Sequence, residues 1–304
     1  DLFATDESIA ALPAPLIEVL GDERVAIAGC RLKQLDHMLS CQGIVVQHLS
    51  FDAEVASYLL SPLRSDHGIA VWAAQYLGWQ LPQAGAEPVE GLDSWRARGC
   101  LEALAVAQLQ PRLERELEQQ DQMALFRDIE MPLVSLLARM ERAGIGLDLQ
   151  RLEQMGDELS AMMDRLAAEI HDLAGEQFNI DSPKQVGQIL FDRLQLPHGR
   201  KTKTGWSTAA GILDELAAEH RIVALILEYR EYAKLRGTYV DGLAREADHV
   251  TGLVHTSFEQ TATATGRLAS RAPNLQNIPI RTEWGRQIRS CFNSGLVGYQ
   301  LICA

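Results

Sequence analysis

The strongest constraint on the fold is one amphipathic pattern between residues 148 and 175. Its apolar positions are spaced three or four residues apart and comprise Leu152, Met155, Leu159, Met162, Leu166, Ile170 and Leu173. Such spacing places all of them on one face of an α-helix. Asp148 precedes the pattern as a suitable N-cap, and Gly175 follows it as a stop. A long helix with one apolar face needs a partner helix, so the pattern predicts an antiparallel arm or a coiled-coil-like stem.

A second helix is predicted immediately upstream, from residue 121. Its apolar stripe is expected to comprise Leu125, Ile129, Leu133, Leu136, Leu137 and Met140. Pro132 lies inside this stripe and predicts a kink, because proline lacks the N–H group and clashes with the preceding turn. Gly144 and Gly146 are predicted to end the helix.

Three further helices are predicted downstream of Gly175. They begin at Ser182-Pro183, at Ser207 or Thr208 (running through Leu216), and near residue 221, where the helix continues to residue 243 with Leu225, Tyr229, Tyr232 and Leu235 on its apolar side. Serine followed by proline is typical of an N-cap and the first helical turn.

The segments before residue 121 and after Asp248 differ from this helical region, because the spacing of their apolar residues also predicts strands. Residues 1–120 are predicted to form a small α/β unit with strands at 24–29 and 43–47, helices at 53–60 and 67–77, and a loop at 83–94. After Asp248, strands are predicted at 252–260 and 298–304, with an ordered polar loop at 261–282. The fold class is therefore predicted as α/β followed by mainly α, and 304 residues suffice for two domains.

The charge of the chain is informative only when it is resolved along the sequence. A net charge of −13 argues against a simple nucleic-acid binder, which is usually basic. Phosphate contacts are local, however, so an acidic protein can gather its cations on one surface. Five arginines fall between residues 267 and 289 with a single acidic residue, Glu283. These are Arg267, Arg271, Arg281, Arg286 and Arg289.

Two other polar segments are candidate phosphate contacts. Residues 199–208 carry Lys201 and Lys203 among several hydroxyls before a helix start, an arrangement that suits phosphate oxygens. Lys234 and Thr238 are four positions apart and are predicted to share a helix face opposite Leu235. The alternatives are a solvated loop for the first segment, an exposed helix face for the second, and a plain polar loop for 263–281.

Composition also bears on the compartment. Five cysteines, an odd number without short-spaced pairs, are typical of reduced thiols in a cytoplasmic protein and not of a metal site. The longest uncharged run, residues 67–86, contains three glutamines and a proline and is too polar to span a bilayer. The first residues lack the basic and apolar regions of a signal peptide. The sequence therefore predicts a cytoplasmic protein without a membrane segment.

The segment 263–281 also resembles a known family. It reads Thr-Ala-Thr-Gly-Arg-Leu-Ala-Ser-x-x-Pro-Asn-Leu-Gln-Asn-Ile-Pro-Ile-Arg, which is very close to the signature of family A DNA polymerases. Residues 178–185, 201–205 and 229–239 resemble the thumb of that family, and residues 129–133 resemble the beginning of its polymerase domain. The resemblance is strong over 121–304 and weaker over 1–120. It implies a DNA-directed DNA polymerase, a nucleotidyltransferase of DNA replication and repair whose partner is primer–template DNA.

The resemblance implies a domain layout and a set of contacts. Residues 1–120 would be a truncated, inactive ribonuclease H-like 3′–5′ exonuclease-type domain, and 121–304 part of the polymerase domain, with a leading helix at 121–144, the thumb at 145–243 and the start of the palm at 244–304. The implied DNA-binding residues are Lys201, Lys203, Lys234, Arg236, Thr238, Thr265, Arg267, Asn274, Gln276, Asn277 and Arg281. Gly237 departs from the serine that is usual in the family, which removes one hydroxyl contact.

The resemblance also implies where catalysis lies. Family A synthesis uses carboxylates that hold two Mg²⁺ ions, and the first such Asp would follow the strand predicted at 298–304. We therefore expect no catalytic or metal-binding residue in this chain, no polymerisation by the chain alone, and a second polypeptide or a removed portion that carries the remaining palm and the fingers.

A pair of carboxylates in the front segment invites another interpretation. Asp52 and Glu54 resemble the Asp-x-Glu of a proofreading exonuclease, which also uses two metals. The family would place that motif upstream of residue 20, and its last motif falls where Ala97 and Leu101 stand, neither of which can bind a metal. A structural role is therefore favoured for Asp52 and Glu54. An active 3′–5′ exonuclease stays as one alternative, and a non-catalytic primer–template-binding or assembly module of a split polymerase as another.

Overall fold

The structure, a computed structural model, describes residues 12–82, 94–197, 201–202 and 205–302, with the backbone alone at 94–95 and 201–202. The chain divides into two compact units. The first unit comprises Asp1–Gly144 and Thr256–Asn274, and the second comprises Ile145–His255 and Leu275–Ala304. The division into functional domains predicted from the sequence stays a prediction, because compact units follow packing alone.

Helices dominate the described residues. The α-helices are α1 (Ala14–Leu20), α2 (Leu32–Cys41), α3 (Ala53–Leu60), α4 (Ile69–Trp72), α5 (Ser94–Gln119), α6 (Met123–Leu125), α7 (Met131–Ala143), α8 (Leu149–Ala174), α9 (Pro183–Gly187), α10 (Ala210–Ala217), α11 (Arg221–Lys234), α12 (Asp241–Glu246) and α13 (Glu283–Ser290). Four π-helical turns continue some of them, at Ala73–Leu77, Phe126–Glu130, Gln188–Arg193 and Leu235–Val240. Among the described helices none is both long and apolar enough to cross a membrane.

The strands are short and belong to small sheets. They are β1 (Ile27–Gly29), β2 (Leu49–Asp52), β3 (Ile145–Leu147), β4 (Lys201–Thr202), β5 (Gly205–Trp206), β6 (Leu253–Val254), β7 (Ser257–Glu259), β8 (Ala269–Arg271) and β9 (Phe292–Asn293). In the first unit β1 pairs with β2 in parallel and β7 with β8 antiparallel. In the second unit β3 lies between β6 and β9, and β4 pairs with β5.

The first unit confirms part of the predicted α/β pattern. Strand β1 covers the second half of the segment predicted at 24–29, and α3 coincides with the helix predicted at 53–60. The strand predicted at 43–47 is wrong, because Ile44 and Val46 pack in a small cluster with Leu20 and Leu39 without joining a sheet. The actual second strand, β2, follows directly and places Phe51 in the main core. The loop predicted at 83–94 lies outside the described residues except for its last position, which begins α5.

The apolar stripe predicted at 125–140 is only partly right. Leu137 of that stripe is buried, but Ile129, Leu136 and Met140 are exposed by 53%, 41% and 46%, and Val134, which lies outside the stripe, is buried instead. The π-helical turn Phe126–Glu130 directly precedes the proline-containing first turn of α7. A π-turn holds more residues than an α-turn and therefore rotates every following side chain about the axis, which spacing alone does not reveal.

The two glycines predicted to end this helix have different roles. Gly144 ends α7 with a φ of 65°, as predicted. Gly146 instead lies inside β3, where an added Cβ would come within 2.0 Å of the Asn293 side chain on β9. Glycine is required there because the two strands approach closely.

Helix α8 is the long amphipathic helix predicted from the sequence, and it contributes to two cores. Leu152, Met155 and Leu159 belong to one hydrophobic cluster, and Ile170 belongs to another. The partner helix is α11, which packs against α8. The apolar face is interrupted between the cores, because Met162 is 37% exposed. The predicted partnered helix is therefore confirmed, but its stripe is not one continuous contact.

The predicted caps mostly agree with the structure. The Asp148 carboxylate accepts the N–H of Arg151 at 2.9 Å, and Gly175 ends α8 with a φ of 70°. Ser182 caps α9, as expected for serine before proline. The helix start predicted at Ser207 or Thr208 is wrong, because α10 begins at Ala210. Thr208 is buried, and its carbonyl accepts a hydrogen bond from Arg230 at 2.8 Å.

The late strand predictions are only partly right. The strand predicted at 252–260 consists of two short strands, β6 in the second unit and β7 in the first. The segment 261–282 is a loop that contains β8. The strand predicted at 298–304 is wrong over its described residues 298–302, whose apolar side chains are exposed and lack the hydrogen-bonded neighbour that defines a strand.

Two substitutions on α8 test the division of its apolar face. Leu159→Ala removes a fully buried side chain and is expected to lower the free energy of unfolding by about 2–5 kcal/mol. Met162→Ala on the same stripe is expected to cost less than about 1 kcal/mol, since the side chain is already partly in water. Urea unfolding followed by circular dichroism measures both. Equal losses for the two variants would contradict the interrupted contact.

Candidate nucleic-acid interface

The hairpin β7–β8 of the first unit presents the arginine-rich segment. Its connecting loop, residues 260–268, is closed by the Thr263 hydroxyl, which donates to the Arg267 carbonyl at 2.7 Å. Gly266 adopts a φ of 75°, a left-handed conformation that favours glycine. Thr265 and the Arg267 side chain consequently lie exposed on a tight turn.

Two buried hydroxyls fix the base of this hairpin. Thr256 Oγ1 and Ser270 Oγ lie 2.7 Å apart, and they lie 2.8 and 3.1 Å from the carbonyl oxygen of Pro273. Buried hydroxyls are costly unless they are hydrogen-bonded, so this arrangement stabilises one backbone path after β8. That path leads directly to Asn274, which is exposed.

Most arginines of the segment keep their charge available. Arg267, Arg271, Arg281 and Arg289 are exposed, and the described parts of the chain provide none of the four with a carboxylate partner. Arg286 differs, because its guanidinium forms an ion pair with Glu283. An exposed guanidinium without a partner retains its donors for an anionic ligand such as a phosphate.

The second unit anchors the residues that follow. The Tyr239 hydroxyl donates to the Asn277 carbonyl at 2.5 Å, and Ile278 is buried in the core around α8. The side chains of Gln276, Asn277 and Arg281 are exposed. Backbone anchoring combined with exposed amide and guanidinium groups is a suitable geometry for contacts to base edges and phosphates.

Helix α11 and the π-helical turn after it carry three predicted contacts. Lys234 and Thr238 are exposed while Leu235 is buried, which confirms the predicted arrangement of faces. Arg236 is only partly exposed, and its Nε lies 3.6 Å from Asp241 Oδ2. Part of the charge of Arg236 is therefore compensated within the helix.

The remaining basic candidates lie in the loop before α10. Lys201 belongs to β4, which pairs with β5, but its side chain is not described. Lys203 lies outside the described residues. The phosphate contacts expected of both stay predictions.

The predicted residues are divided between the two units. Thr265, Arg267 and Asn274 belong to the first unit. The second unit carries Lys201, Lys203, Lys234, Arg236, Thr238, Gln276, Asn277 and Arg281. In the second unit Tyr239, in the π-helical turn after α11, joins that turn to the 276–281 segment through its bond to Asn277. Binding of DNA by any of these residues stays a prediction.

The carboxylate of Asp52 is engaged by the backbone. Its Oδ2 accepts the N–H of Leu32 at 2.7 Å, and its Oδ1 accepts the N–H of Glu54 at 2.8 Å. Burial raises the pKa of Asp52, although these bonds act in the opposite direction. Asp52 thereby caps α3 and ties it to the start of α2, which supports the structural interpretation of this residue.

Glu54 lies beside Asp52 and has an unusual pKa. Burial first and the Asp52 charge second raise the pKa of Glu54 to about 7. Arg31, whose Nε lies 3.8 Å from the carboxylate, opposes this shift but does not cancel it. Across the described ranges no three His, Cys, Asp or Glu side chains converge to hold a metal ion. The Mg²⁺ ions implied by the family resemblance therefore have no ligand cluster in this part of the chain.

Sequence reasoning missed the side chains that hold the hairpin from outside. The Tyr58 hydroxyl donates to the Thr263 carbonyl at 2.7 Å across 205 positions of sequence. Lys33 Nζ lies 2.6 Å from Glu141 Oε1 across 108 positions. Neither pair carries a local signal, because a tyrosine and a lysine on amphipathic helices look like ordinary core and surface residues.

Comparison with known proteins identifies the family to which these features belong. The sequence model of DNA polymerase family A matches residues 149–304. DNA polymerase I of Bacillus subtilis is 44% identical over 263 residues, which are 84% of this chain and 30% of the relative. DNA polymerase I of Geobacillus stearothermophilus is 43% identical over 280 residues, which are 90% of this chain and 32% of the relative. The chain thus spans about a third of the length of these relatives.

A solved structure agrees with the sequence comparison. The polymerase domain of Pol1 from M. smegmatis, in complex with DNA primer–template and dNTP, superposes with a TM-score of 0.80 at 36% identity. The match covers 92% of this chain and 47% of that one. The fold is therefore that of a family A polymerase domain, rich in helices with small sheets.

The raised pKa of Glu54 predicts a specific pH dependence of stability. The pKa of Glu54 is higher in the folded state than in the unfolded state, where it is 4.5. The protonated carboxyl therefore stabilises the fold at pH values below 4.5, and this contribution is lost as the pH rises through about 7. The loss attributable to Glu54 is up to about 3 kcal/mol. Urea unfolding between pH 5 and 8.5 is expected to show Glu54→Gln gaining stability over the wild type as pH rises.

A matched substitution serves as the control for this experiment. Glu118 is an exposed glutamate of α5. We expect Glu118→Gln to follow the wild-type pH dependence. A constant difference between Glu54→Gln and the wild type over the whole pH range would contradict the shifted pKa.

Proposed function

Because this chain belongs to DNA polymerase family A, we propose that it is the part of a DNA-directed DNA polymerase that holds primer–template DNA. Such an enzyme is a nucleotidyltransferase of DNA replication and repair. The observation that carries the proposal is the set of exposed arginines between residues 267 and 289 in an otherwise acidic chain. Four of them have no carboxylate partner among the described residues. The relative in M. smegmatis binds primer–template DNA and dNTP, and we extend the DNA ligand to this chain.

The charge distribution supports this role. The chain has 41 acidic and 28 basic residues, so long-range attraction to DNA is weak or absent. Binding must then come from local cations that displace the counterions of the phosphate backbone. Arg281 in the second unit and Arg267 in the first are placed on exposed turns where such contacts are unhindered by neighbouring carboxylates of the described chain.

The side chains around these arginines suit a ligand of any sequence. We assign Arg267 and Thr265 to the minor groove near the primer terminus, and Asn274, Gln276 and Asn277 to the duplex nearby. Amide and guanidinium donors can bond the acceptors that every base pair presents in the minor groove. A polymerase needs this kind of contact, because it must hold all primer termini equally well.

The second unit supplies the backbone contacts. We assign Lys234, Thr238, Lys201 and Lys203 to phosphates, and residues 145–243 to the thumb, with 244–304 as the beginning of the palm. Arg236 is assigned a weaker contact, since Asp241 already compensates part of its charge. Exposed lysines act as point charges toward phosphate and carry no sequence information.

Residues 1–120 are assigned as an exonuclease-like domain of the ribonuclease H type without nuclease activity. Support comes from Asp52, whose two carboxylate oxygens are occupied by backbone N–H groups and whose burial disfavours its charged form. A metal-dependent nuclease needs charged carboxylates that are free to bind cations.

Nucleotide transfer itself is assigned to the complete enzyme. Mg²⁺ would activate the primer 3′-hydroxyl and stabilise the leaving group there. The remaining palm and fingers would be supplied by further polypeptide, since the relatives are about three times as long as the matched region. The residues of this chain would hold and orient the primer–template.

Primer extension tests the proposed division of labour. With Mg²⁺, all four deoxynucleotides and a labelled primer–template, we expect the chain alone to bind without extending the primer. Adding a polypeptide that carries the remaining palm and fingers is expected to restore extension. Extension by the chain alone would refute the assignment of catalysis to the complete enzyme, and absence of binding would refute the proposed function.

A pair of arginines tests the interface with equal changes in net charge. Arg281→Ala removes an exposed cation, and we expect the slope of log Kd against log salt to fall by about 0.9. Arg286→Ala removes a cation already paired with Glu283, and we expect a much smaller change. Fluorescence anisotropy with a primer–template duplex between 50 and 200 mM salt measures both. Equal slopes for the two variants would contradict the role of Arg281.

A further inference from the structure

On the outer edge of β7, side chains form the backbone hydrogen bonds that a neighbouring strand would otherwise form. The Phe258 N–H donates to Glu141 Oε1 at 2.6 Å, and the Phe258 carbonyl accepts a hydrogen bond from Lys33 Nζ. In an antiparallel ladder the N–H and C=O of one residue point to the same side. Glu141 and Lys33 thus occupy the place of a neighbouring strand, on the side opposite β8.

The two side chains also neutralise each other. Lys33 Nζ lies 2.6 Å from Glu141 Oε1, and the side chains are only 11% and 10% exposed. Removing one partner of a pair buried to this extent leaves the other charge uncompensated, which is strongly unfavourable. The pair therefore stabilises one position of β7 against α2 and α7.

Two more contacts hold the loop that follows β7. The Gln260 amide donates to the backbone carbonyl of Glu130 at 3.1 Å and to its carboxylate at 2.9 Å. Three residues later the Tyr58 hydroxyl donates to the Thr263 carbonyl at 2.7 Å. Both contacts come from helical segments of the first unit, so the loop 260–268 is fixed at two points along its course.

The second of these points is coupled to Arg267. The Thr263 carbonyl is bonded to Tyr58, and the Thr263 hydroxyl is bonded to the backbone carbonyl of Arg267. Two consecutive hydrogen bonds thus run from α3 to the residue that presents the guanidinium. Tyr58 itself is 3% exposed and packs edge-on against the His67 ring at a centroid distance of 5.6 Å.

We propose that Tyr58 is a positioning residue of the DNA interface. The Lys33–Glu141 pair supports this role by holding β7 of the same hairpin. The Tyr58 hydroxyl holds the turn 263–267 so that Arg267 is presented in one orientation to the primer–template. The front segment thereby serves DNA binding through packing, with no need for nuclease chemistry. This inference rests on the proposed function, because it assumes that Arg267 contacts DNA.

Tyr58→Phe is the direct test, since it removes the hydroxyl and keeps the ring. Anisotropy with the full chain and a labelled primer–template duplex is expected to give a Kd about two- to tenfold higher than the wild type, the range for one lost hydrogen bond. Tyr76→Phe is the matched control, because it also removes one tyrosine hydroxyl from the first unit, and that hydroxyl bonds Glu116 at 3.0 Å instead of a residue of the hairpin. We expect wild-type affinity for that variant.

A double-mutant cycle separates positioning from general loosening of the fold. If Tyr58 acts through Arg267, Tyr58→Phe has no further effect on Kd once Arg267→Ala is present. Thr263→Val removes the second hydrogen bond in the series and is expected to weaken binding to a similar extent as Tyr58→Phe. The Thr263 side chain is partly exposed, so Thr263→Val serves as the second variant should Tyr58→Phe not fold.

The outcomes distinguish this inference from the proposed function. A wild-type chain that does not bind the duplex overturns the proposed function. Binding by the wild type with unchanged affinity in Tyr58→Phe and Thr263→Val overturns the positioning role alone. Equal losses for Tyr58→Phe with and without Arg267→Ala also overturn it, since the hydroxyl would then act independently of that guanidinium.

Discussion

Burial of the apolar face of α8 is the interaction on which the second unit depends. One end of the helix contributes Leu152, Met155 and Leu159 to a core shared with the β6–β3–β9 sheet, and the other end contributes Ile170 to a second core. Hydrophobic burial is non-directional, so a single helix can serve two clusters provided that its spacing continues through both. The exposed Met162 marks the point between them. The exposed cations of α11 are placed by the same packing, because α11 is the partner of α8.

The pairing of charges separates structural from candidate functional arginines. Arg98 pairs with Glu102 one helical turn further along α5. Arg221 of α11 pairs with Glu169 of the neighbouring helix α8. Between 267 and 289 only Arg286 is satisfied in this way within the described residues. In a chain with an excess of acids, arginines without carboxylate neighbours are conspicuous, and they coincide with the segment that carries the family signature.

Two buried carboxylates of the first unit accept hydrogen bonds from backbone N–H groups. Asp52 receives N–H groups from two segments, and Glu141 receives the N–H of Phe258 while it pairs with Lys33. In both cases a buried acid is stabilised by donors that fix the direction of a chain segment. Asp52 of the Asp-x-Glu pattern therefore caps α3, and the same type of interaction holds the arginine-bearing hairpin.

The sequence by itself determined the features that depend on neighbours along the chain. These are the long helix with its Asp148 cap and Gly175 stop, the faces of Lys234 and Leu235, and the family to which the 263–281 segment belongs. Only the tertiary structure decided which apolar residues of 125–140 are buried and that the segment 43–47 packs without a sheet. It also decided that Tyr58 and Lys33 hold the hairpin. The reason is physical: caps and helix faces arise from contacts within a few residues, whereas a π-turn phase, a strand partner and a hydrogen bond across 205 positions depend on which distant segments pack together.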